Sequence, residues 1–326
     1  MKTTVGVLMG GYSSEKGISL KSGMAVFESL SREDFDVHAI HILRDGWFVV
    51  NGDERFAIDK NDFTAKTPSG KLKFDVLFNA IHGTPGEDGL LQAYFQLVGI
   101  PHTSSLHFES ALTFNKAETS SLLNHFGVNI PAAYYLAEGE GWNPQEIIEV
   151  VGLPCFVKPN RSGSSFGVSK VKTERDLGAA LEKAFTEDSQ VIIEQAVIGT
   201  EVCCGIARWD GEVHSLGITE IVSKNEFFDF EAKYEGAADE ITPARISRDL
   251  YDQIERESRF IYESLSMRGI ARADFIIDKE TQMPYLIEVN SVPGLSKESI
   301  VPQQIDHMGF DRGTFYGMMI REALKK

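Results

Sequence analysis

The chain opens with a β-α-β pattern, which restricts the fold more than any other feature of the sequence. An apolar run at residues 5–9 ends in Gly10-Gly11, a helical pattern covers residues 15–30, and extended structure resumes at 37–42. Strands separated by helices favour a parallel sheet, whose ligands bind at the carboxyl ends of the strands. The sequence therefore predicts an α/β fold that begins with a Rossmann-like parallel-sheet domain.

The length of 326 residues predicts two or three packed units rather than one core. Helical and strand patterns divide the chain into residues 1–104, 105–195 and 196–326, the last with four strand patterns and one long helix. A helical stretch at 106–126 opens the second unit. Within the first unit, Asn51-Gly52-Asp53 between two short apolar runs is typical of a hairpin, interpreted as a small peripheral decoration.

Composition excludes several classes of partner. The net charge of −16 and the pI near 5.0 argue against nucleic-acid binding, which relies on clustered Lys and Arg. No apolar run approaches the roughly 20 residues that span a bilayer. Three cysteines, Cys155, Cys203 and Cys204, lack the paired spacings of a disulfide framework or a zinc site. We therefore expect a cytoplasmic protein with reduced thiols that binds neither nucleic acid nor a membrane.

Two neighbouring strand patterns near the carboxyl end carry polar residues at alternate positions. Arg272 and Asp274 share one face of the first, and Glu288 and Asn290 share one face of the second. Two carboxylates and an amide oxygen suit Mg²⁺, which leaves coordination positions for substrate phosphates. Arg272 could stabilise charge on a transferring phosphoryl group. The alternative is an exposed sheet face with ordinary salt bridges, but the same pattern in both strands favours a metal site.

A glycine- and serine-rich loop follows the strand pattern that ends at Lys158. Glycines let backbone N–H groups approach phosphate oxygens, and the lysine adds a positive charge, although an ordinary glycine hairpin would have the same sequence. The spacing differs from that of a P-loop. Glu194 and Glu201 follow the next strand pattern, where they could bind an adenine amino group and a ribose hydroxyl or remain solvated.

Three further turns follow predicted strands. Gly10-Gly11 leads to Glu15, which at the start of a helix would repel phosphate and attract an ammonium group, as an amino-acid substrate requires. The turn at residues 82–89 contains three glycines and two acids. In the turn at 293–302, the N–H of Gly294 and nearby hydroxyls suit an oxyanion or a substrate carboxylate. Each could also be a plain connection.

Six segments in this order resemble the D-alanine:D-alanine ligases of the ATP-grasp superfamily, at residues 10–15, 82–89, 157–167, 228–234, 272–274 and 288–302. The resemblance implies a three-domain ATP-grasp architecture and the joining of two D-alanines through a D-alanyl phosphate, for peptidoglycan precursor synthesis. It further implies ATP and two Mg²⁺ ions as cofactors, with Mn²⁺ as an alternative metal, and a homodimer whose only other partners are small-molecule substrates.

The resemblance also implies roles position by position. ATP-binding residues are Lys116, Lys158, Ser164, Glu194, Gln195, Ala196, Val197, Glu201 and Lys233. Metal ligands are Asp274, Glu288 and Asn290. Substrate-binding residues are Glu15, His82, Tyr234, Arg272, Gly294, Ser299 and Ile300. Those with a catalytic role are Glu15, Ser164, Tyr234, Arg272 and Gly294. A segment at about 223–245 is interpreted as a loop that closes over the acyl phosphate and excludes water.

Some positions depart from the commonest family pattern. Phe228 and Phe230 replace frequent tyrosines, Ser296 replaces threonine, and Ile300 replaces leucine, which leaves the shape of the second amino-acid pocket open. Tyr234 is similar to the tyrosine of the dipeptide-forming members and so favours D-alanine as the acceptor. The alternatives are a ligase that uses D-lactate or another amino acid, and a nucleotide-sensing protein without turnover.

Overall fold

The computed structural model describes residues 2–223 and 238–325 and contains three sheets that follow one another along the chain. The first has seven strands, the second four and the third five. The division of the chain into three units, with boundaries at 104/105 and 195/196, remains a prediction. In the described part of the chain, no helix has both the length and the apolar character needed to cross a membrane.

The first sheet confirms the opening β-α-β pattern. Strand β1 (Thr3–Gly10) is followed by helix α1 (Lys16–Ser29) and pairs in parallel with β2 (Phe35–Leu43) and β7 (Val76–Asn79). The complete sheet is mixed, because four antiparallel strands extend it beyond β2: β3 (Gly46–Asn51), β4 (Glu54–Asp59), β5 (Thr64–Thr67) and β6 (Gly70–Leu72). Their turns are too short for parallel crossovers. The hairpin interpreted as a peripheral decoration is thus part of the main sheet.

The helical stretch predicted at 106–126 is two helices. After α2 (Leu90–Val98), the chain forms α3 (His107–Phe114) and α4 (Lys116–His125). Asn115 separates them, since its backbone is extended and its side chain accepts a hydrogen bond from the N–H of Glu118. A side chain that caps a new helix in this way interrupts a continuous helical pattern. The cap also places Lys116 at the start of α4.

The second sheet is antiparallel and has helices on one face. Its strand order is β10-β9-β11-β8, with β8 (Ala133–Ala137), β9 (Cys155–Pro159), β10 (Ser169–Val171) and β11 (Gln190–Gln195). Helices α5 (Pro144–Val151) and α6 (Leu177–Phe185) cover the face that carries Val157 and Ile193. Because side chains alternate along a strand, Lys158 and Glu194 lie on the other face. That face lines a cleft.

The third sheet carries the polar strands predicted from sequence. Its antiparallel order is β14-β13-β12-β15-β16, with β12 (Gly199–Trp209), β13 (Glu212–Ser223), β14 (Ala238–Ile241), β15 (Ile270–Asp278) and β16 (Pro284–Asn290). Within residues 238–325, three helices accompany it: α7 (Arg248–Ser264), α8 (Ile300–His307) and α9 (Arg312–Ala323). Helix α7 packs on the core face that includes Ala273 and Phe275. The opposite face is left for Arg272 and Asp274.

Candidate functional site

The two polar strands pair as the sequence predicts. In the antiparallel register of β15 and β16, Arg272 is opposite Asn290 and Asp274 is opposite Glu288. The guanidinium of Arg272 donates two hydrogen bonds to the carboxylate of Asp274, of 2.6 and 2.7 Å. The amide Nδ2 of Asn290 lies 3.0 Å from Asp274 Oδ2 and 3.4 Å from Glu288 Oε1. The four side chains therefore form one cluster.

A β-bulge in β16 lets Glu288 face the cleft with Arg272 and Asp274. The register shifts between Asp274 and Phe275, so that Phe275 is opposite Leu286 and one residue of β16, Ile287, has no partner of its own. Leu286 is buried in the core, while Glu288 lines the cleft. Strict alternation along β16 would have placed both on one face. The extra residue resolves this conflict, which is a common use of bulges beside active sites.

The cluster has donors that suit a hard divalent cation. Two carboxylates and one amide converge, and exchanging the amide oxygen and nitrogen of Asn290 would present three oxygens. Within the described ranges no three His, Cys, Asp or Glu side chains group together, so the amide is needed as the third ligand. Arg272 and Lys116, whose Nζ is 3.4 Å from Glu288 Oε2, offset the charge of the carboxylates. These residues fit the predicted magnesium site.

The nucleotide-binding residues predicted from sequence line one cleft between the second and third sheets. Lys158 and Glu194 form a buried ion pair of 2.6 Å on β9 and β11. The cleft is also lined by Lys116, Ser164, Gln195, Val197 and Glu201. Ala196 is the exception, since it is buried and does not line the cleft. Lys233 lies outside the described residues.

Apolar walls of this cleft were not predicted. Phe156, Ile276 and Ile287 line it beside the polar residues. Phe156 is two positions before Lys158 on β9, and Ile276 is two positions after Asp274 on β15. Period-two alternation could therefore have found both, whereas Ile287 faces the cleft only because of the bulge.

A second and larger cavity adjoins the cleft and contains the residues predicted for the amino-acid substrates. It has a volume of about 1040 Å³ and is lined by Glu15, His82, Arg272, Gly294, Ser299 and Ile300, among others. Gly163, Ser164, Phe166 and Glu288 line both spaces. The nucleotide-type cleft and the amino-acid cavity therefore meet at Ser164 and Glu288.

Glu15 is held at this junction by residues that are distant in sequence. It is buried, and its Oε1 accepts a hydrogen bond of 2.6 Å from the hydroxyl of Ser164, 149 residues away. A Cβ on Gly163 would lie 2.5 Å from Glu15 Oε1, and a Cβ on Gly83 would lie 2.9 Å from Glu15 Oε2. Glycine is thus required where two loops approach the carboxylate. Ser164 itself has a positive φ of 49°.

Glu87 is a second buried carboxyl group nearby. Burial, and then the neighbouring Glu15 carboxylate, raise the pKa of Glu87 to about 8. Its Oε2 accepts a short hydrogen bond of 2.6 Å from the N–H of Gly83. With that pKa, Glu87 is largely protonated at neutral pH.

His82 ties the first unit to the loop that contains Gly294. Its Nδ1 lies 2.9 Å from the carbonyl oxygen of Val292, which can only accept, so Nδ1 carries the proton. In the neutral ring Nε2 then accepts from the hydroxyl of Ser22 at 2.9 Å, and Ser22 accepts from the N–H of Leu295 at 3.2 Å. Burial lowers the pKa of His82, which keeps the ring neutral.

The loop after β16 brings its predicted residues together. A Cβ on Gly294 would lie 2.8 Å from the hydroxyl oxygen of Ser299, and Ser299 Oγ is 2.8 Å from Ser296 Oγ. Ser299 is the residue immediately before α8, and Ile300, at the start of α8, is buried. The predicted Tyr234, Phe228 and Phe230 lie outside the described residues, as does most of the predicted closing loop.

Comparison with known families gives two matches that together cover most of the chain. Residues 4–105 match the family model described as "D-ala D-ala ligase N-terminus", and residues 122–321 match "D-ala D-ala ligase C-terminus". The chain is 50% identical over 307 residues to a protein of Flavobacterium johnsoniae named "D-alanine--D-alanine ligase", which covers 94% of each chain.

Solved structures agree with these matches. "D-alanyl-alanine synthetase A" from Vibrio cholerae superposes with a TM-score of 0.89 at 28% identity over 100% of this chain and 99% of that one. A D-Ala:D-Ser ligase from Enterococcus faecalis superposes with a TM-score of 0.86 at 29% identity, over 99% and 100% of the two chains. A D-alanine--D-alanine ligase of Bacillus anthracis in complex with ATP superposes with a TM-score of 0.79 at 27% identity, over 99% of this chain and 98% of that one.

Proposed function

The chain belongs to the D-alanine–D-alanine ligase family, and from that premise we propose that it joins two D-alanines to D-alanyl-D-alanine at the expense of ATP, as a step in peptidoglycan precursor synthesis. One observation carries the proposal. A cleft lined by Lys158 and Glu194 meets the cavity that contains Glu15, Arg272 and Ser299, and the two join at Ser164 and Glu288, where a phosphoryl group could pass from one to the other.

In the first step, a carboxylate oxygen of the donor D-alanine attacks the γ-phosphorus of ATP, and the bond to the β-phosphate oxygen breaks to release ADP. Phosphoryl transfer depends on positioning and charge neutralisation more than on covalent help from the protein. Glu15 would hold the donor ammonium group, with Ser164 fixing the carboxylate of Glu15. Lys116, Lys158 and Arg272 would neutralise the phosphates.

In the second step, the amine of the acceptor D-alanine attacks the acyl carbon of D-alanyl phosphate and inorganic phosphate leaves. Arg272 and the N–H of Gly294 would stabilise the oxyanion that forms at the acyl carbon. Ser299 would bind the acceptor carboxylate, near the positive end of the α8 dipole. His82 contributes by fixing the loop that presents Gly294.

Asp274, Glu288 and Asn290 would hold two magnesium ions, with manganese as an alternative. Divalent cations held by these residues would neutralise the charge that develops on the phosphate oxygens. The support is the convergence of oxygen donors across β15 and β16. We further propose a homodimer that works in the cytoplasm and binds no nucleic acid.

A coupled assay of ADP release tests the function directly. D-Alanine alone should stimulate ATP hydrolysis and yield the dipeptide, whereas L-alanine or D-lactate alone should not. ATP hydrolysis that is independent of D-alanine would instead favour a nucleotide-sensing protein.

The choice of acceptor needs its own experiment, because the fold is shared with a D-Ala:D-Ser ligase. We expect D-alanine to be preferred over D-lactate and D-serine in competition at neutral pH. Tyr234→Phe should shift the acceptor ratio toward the hydroxy acid. A depsipeptide or a D-serine dipeptide as the main product of the unchanged protein would contradict the proposed acceptor.

A further inference from the structure

One carboxylate in the amino-acid cavity has no role in the reaction as described so far. Glu240, on the short strand β14, lines the cavity together with Arg272, Gly294 and Ser299. It is half-buried, and its Oε2 accepts a hydrogen bond of 2.6 Å from Nε2 of Gln303. The same Nε2 lies 2.8 Å from the carbonyl oxygen of Glu298. The Glu240 side chain is therefore held in place.

This contact puts Glu240 beside the proposed carboxylate site of the acceptor. Gln303 follows Ser299 by four residues along α8, so the two side chains share one face of the helix about one turn apart. An acceptor whose carboxylate is bound at Ser299 is a zwitterion, and its ammonium group needs an anionic partner nearby. Glu240 lines the same cavity as Ser299 and is the carboxylate that Gln303 holds there.

The other carboxylates of the cavity are engaged or exposed. Glu15 is assigned to the donor ammonium group, Glu87 is largely protonated at neutral pH because its pKa is raised to about 8, and Glu288 belongs to the metal cluster. Glu28 and Glu298 are exposed to solvent at the rim. Glu240 is the remaining carboxylate among the described residues of the cavity. The positive charge of nearby Arg272 acts to lower the pKa of Glu240, against the larger effect of burial.

We infer that Glu240 binds the ammonium group of the acceptor amino acid and takes the proton that must leave before the amine can attack. This inference rests on the proposed function. One ammonium proton passes to the Glu240 carboxylate, the freed lone pair forms the bond to the acyl carbon, and the carbon–oxygen bond to phosphate breaks. The second proton lost from nitrogen leaves with the phosphate. Burial raises the pKa of Glu240, which makes the carboxylate a better base.

The test separates the two steps with hydroxylamine as an alternative acceptor. Hydroxylamine is uncharged at neutral pH, so it traps D-alanyl phosphate as a hydroxamate without an ammonium-binding group. Glu240→Gln should form D-alanyl hydroxamate from ATP and D-alanine at the rate of the unchanged protein. Its dipeptide formation should fall by about 10²-fold, the usual contribution of a general base. Glu298→Gln, an exposed carboxylate at the same cavity, is the matched control and should leave both rates unchanged.

Two results would overturn the inference. Dipeptide formation by Glu240→Gln at the rate of the unchanged protein would remove any role for the carboxylate. An equal fall of hydroxamate and dipeptide would show a structural effect on the whole site. The proposed function fails separately, if the unchanged protein forms neither product.

Discussion

The two halves of the site are built in different ways. The strand-borne cluster, Arg272, Asp274, Glu288 and Asn290, lies on two adjacent strands, and Asp274 and Asn290 are 16 residues apart. The loop-borne cluster is formed by Glu15, His82, Ser164 and Gly294. These residues lie in loops that follow strands of all three sheets. Its contacts span 149 residues from Glu15 to Ser164, and 210 from His82 to Val292.

This difference has a mechanical consequence. Strand pairing fixes the cluster on β15 and β16 through a continuous hydrogen-bonded register. The loop-borne cluster is fixed by single hydrogen bonds between parts of the chain that could separate. We expect substitutions in the first to change the chemistry with the fold retained, and substitutions in the second to change mainly substrate affinity or local stability.

The largest effect is expected for Glu288→Gln. Replacing a charged metal ligand by a neutral amide should lower kcat on the order of 10⁴-fold, or about 5 kcal/mol, since charge neutralisation dominates phosphoryl transfer. The thermal unfolding midpoint should stay near that of the unchanged protein. Glu280→Gln, in the exposed turn between the same strands, is the matched control. Near-normal turnover across a magnesium titration would remove Glu288 from the ligand set.

Lys158→Met should have the next largest effect, on stability. Lys158 and Glu194 are both buried and 2.6 Å apart, so removal of the lysine leaves an unpaired buried carboxylate, at a cost of about 3–5 kcal/mol. The double variant Lys158→Met/Glu194→Gln should recover most of the free energy of unfolding measured by urea denaturation. If the single variant is as stable as the double, the pair does not behave as a coupled buried unit.

The sequence predicted the strand-borne cluster because alternation is a local rule. Arg272 and Asp274 follow it along β15, where their neighbours Ala273 and Phe275 are in the core. Alternation alone does not describe β16. Leu286, Glu288 and Asn290 occupy alternate positions, yet Leu286 is buried in the core while Glu288 and Asn290 belong to the polar cluster. No residue type marks the bulge at Ile287. Its position depends on pairing with β15, which a single strand does not encode.

The contacts of the loop-borne cluster could not be predicted from the local sequence. Nothing near Glu15 in the sequence indicates Ser164 as its partner, and nothing near His82 indicates Ser22 or Val292. The same limit applies to the first sheet. The hairpin signal at Asn51-Gly52-Asp53 correctly predicted paired strands, but whether they extend the main sheet is decided by the antiparallel pairing of β2 with β3.

Ser164→Ala tests the loop-borne cluster at a smaller magnitude. A hydrogen bond to a charged carboxylate contributes about 1.5–3 kcal/mol, so the donor-site KM for D-alanine should rise about tenfold to a hundredfold. The KM for ATP should rise less, because Ser164 is one of many residues that line the nucleotide cleft. Ser162→Ala, two residues earlier in the same loop, is the control, since its backbone rather than its side chain contacts Lys116. Equal losses in both variants would point to the loop as a whole instead of the bond to Glu15.

The smallest effect is a pH dependence of the free energy of unfolding that comes from His82, a residue of the loop-borne cluster. Burial lowers the pKa of His82 below its ordinary value of 6.5. As the pH falls below 6.5, His82 therefore gains a proton more readily in the unfolded chain than in the folded protein. The contribution of the neutral ring to stability is thus complete above pH 6.5 and is lost as the pH falls. His82→Asn retains an amide that can donate to Val292 and does not titrate. The free energy of unfolding of the unchanged protein should therefore fall more steeply below pH 6.5, by at most about 1.4 kcal/mol per pH unit. Parallel curves for the two proteins would mean that His82 is protonated equally in the folded and unfolded states, and that the Ser22–His82–Val292 chain does not depend on a neutral ring.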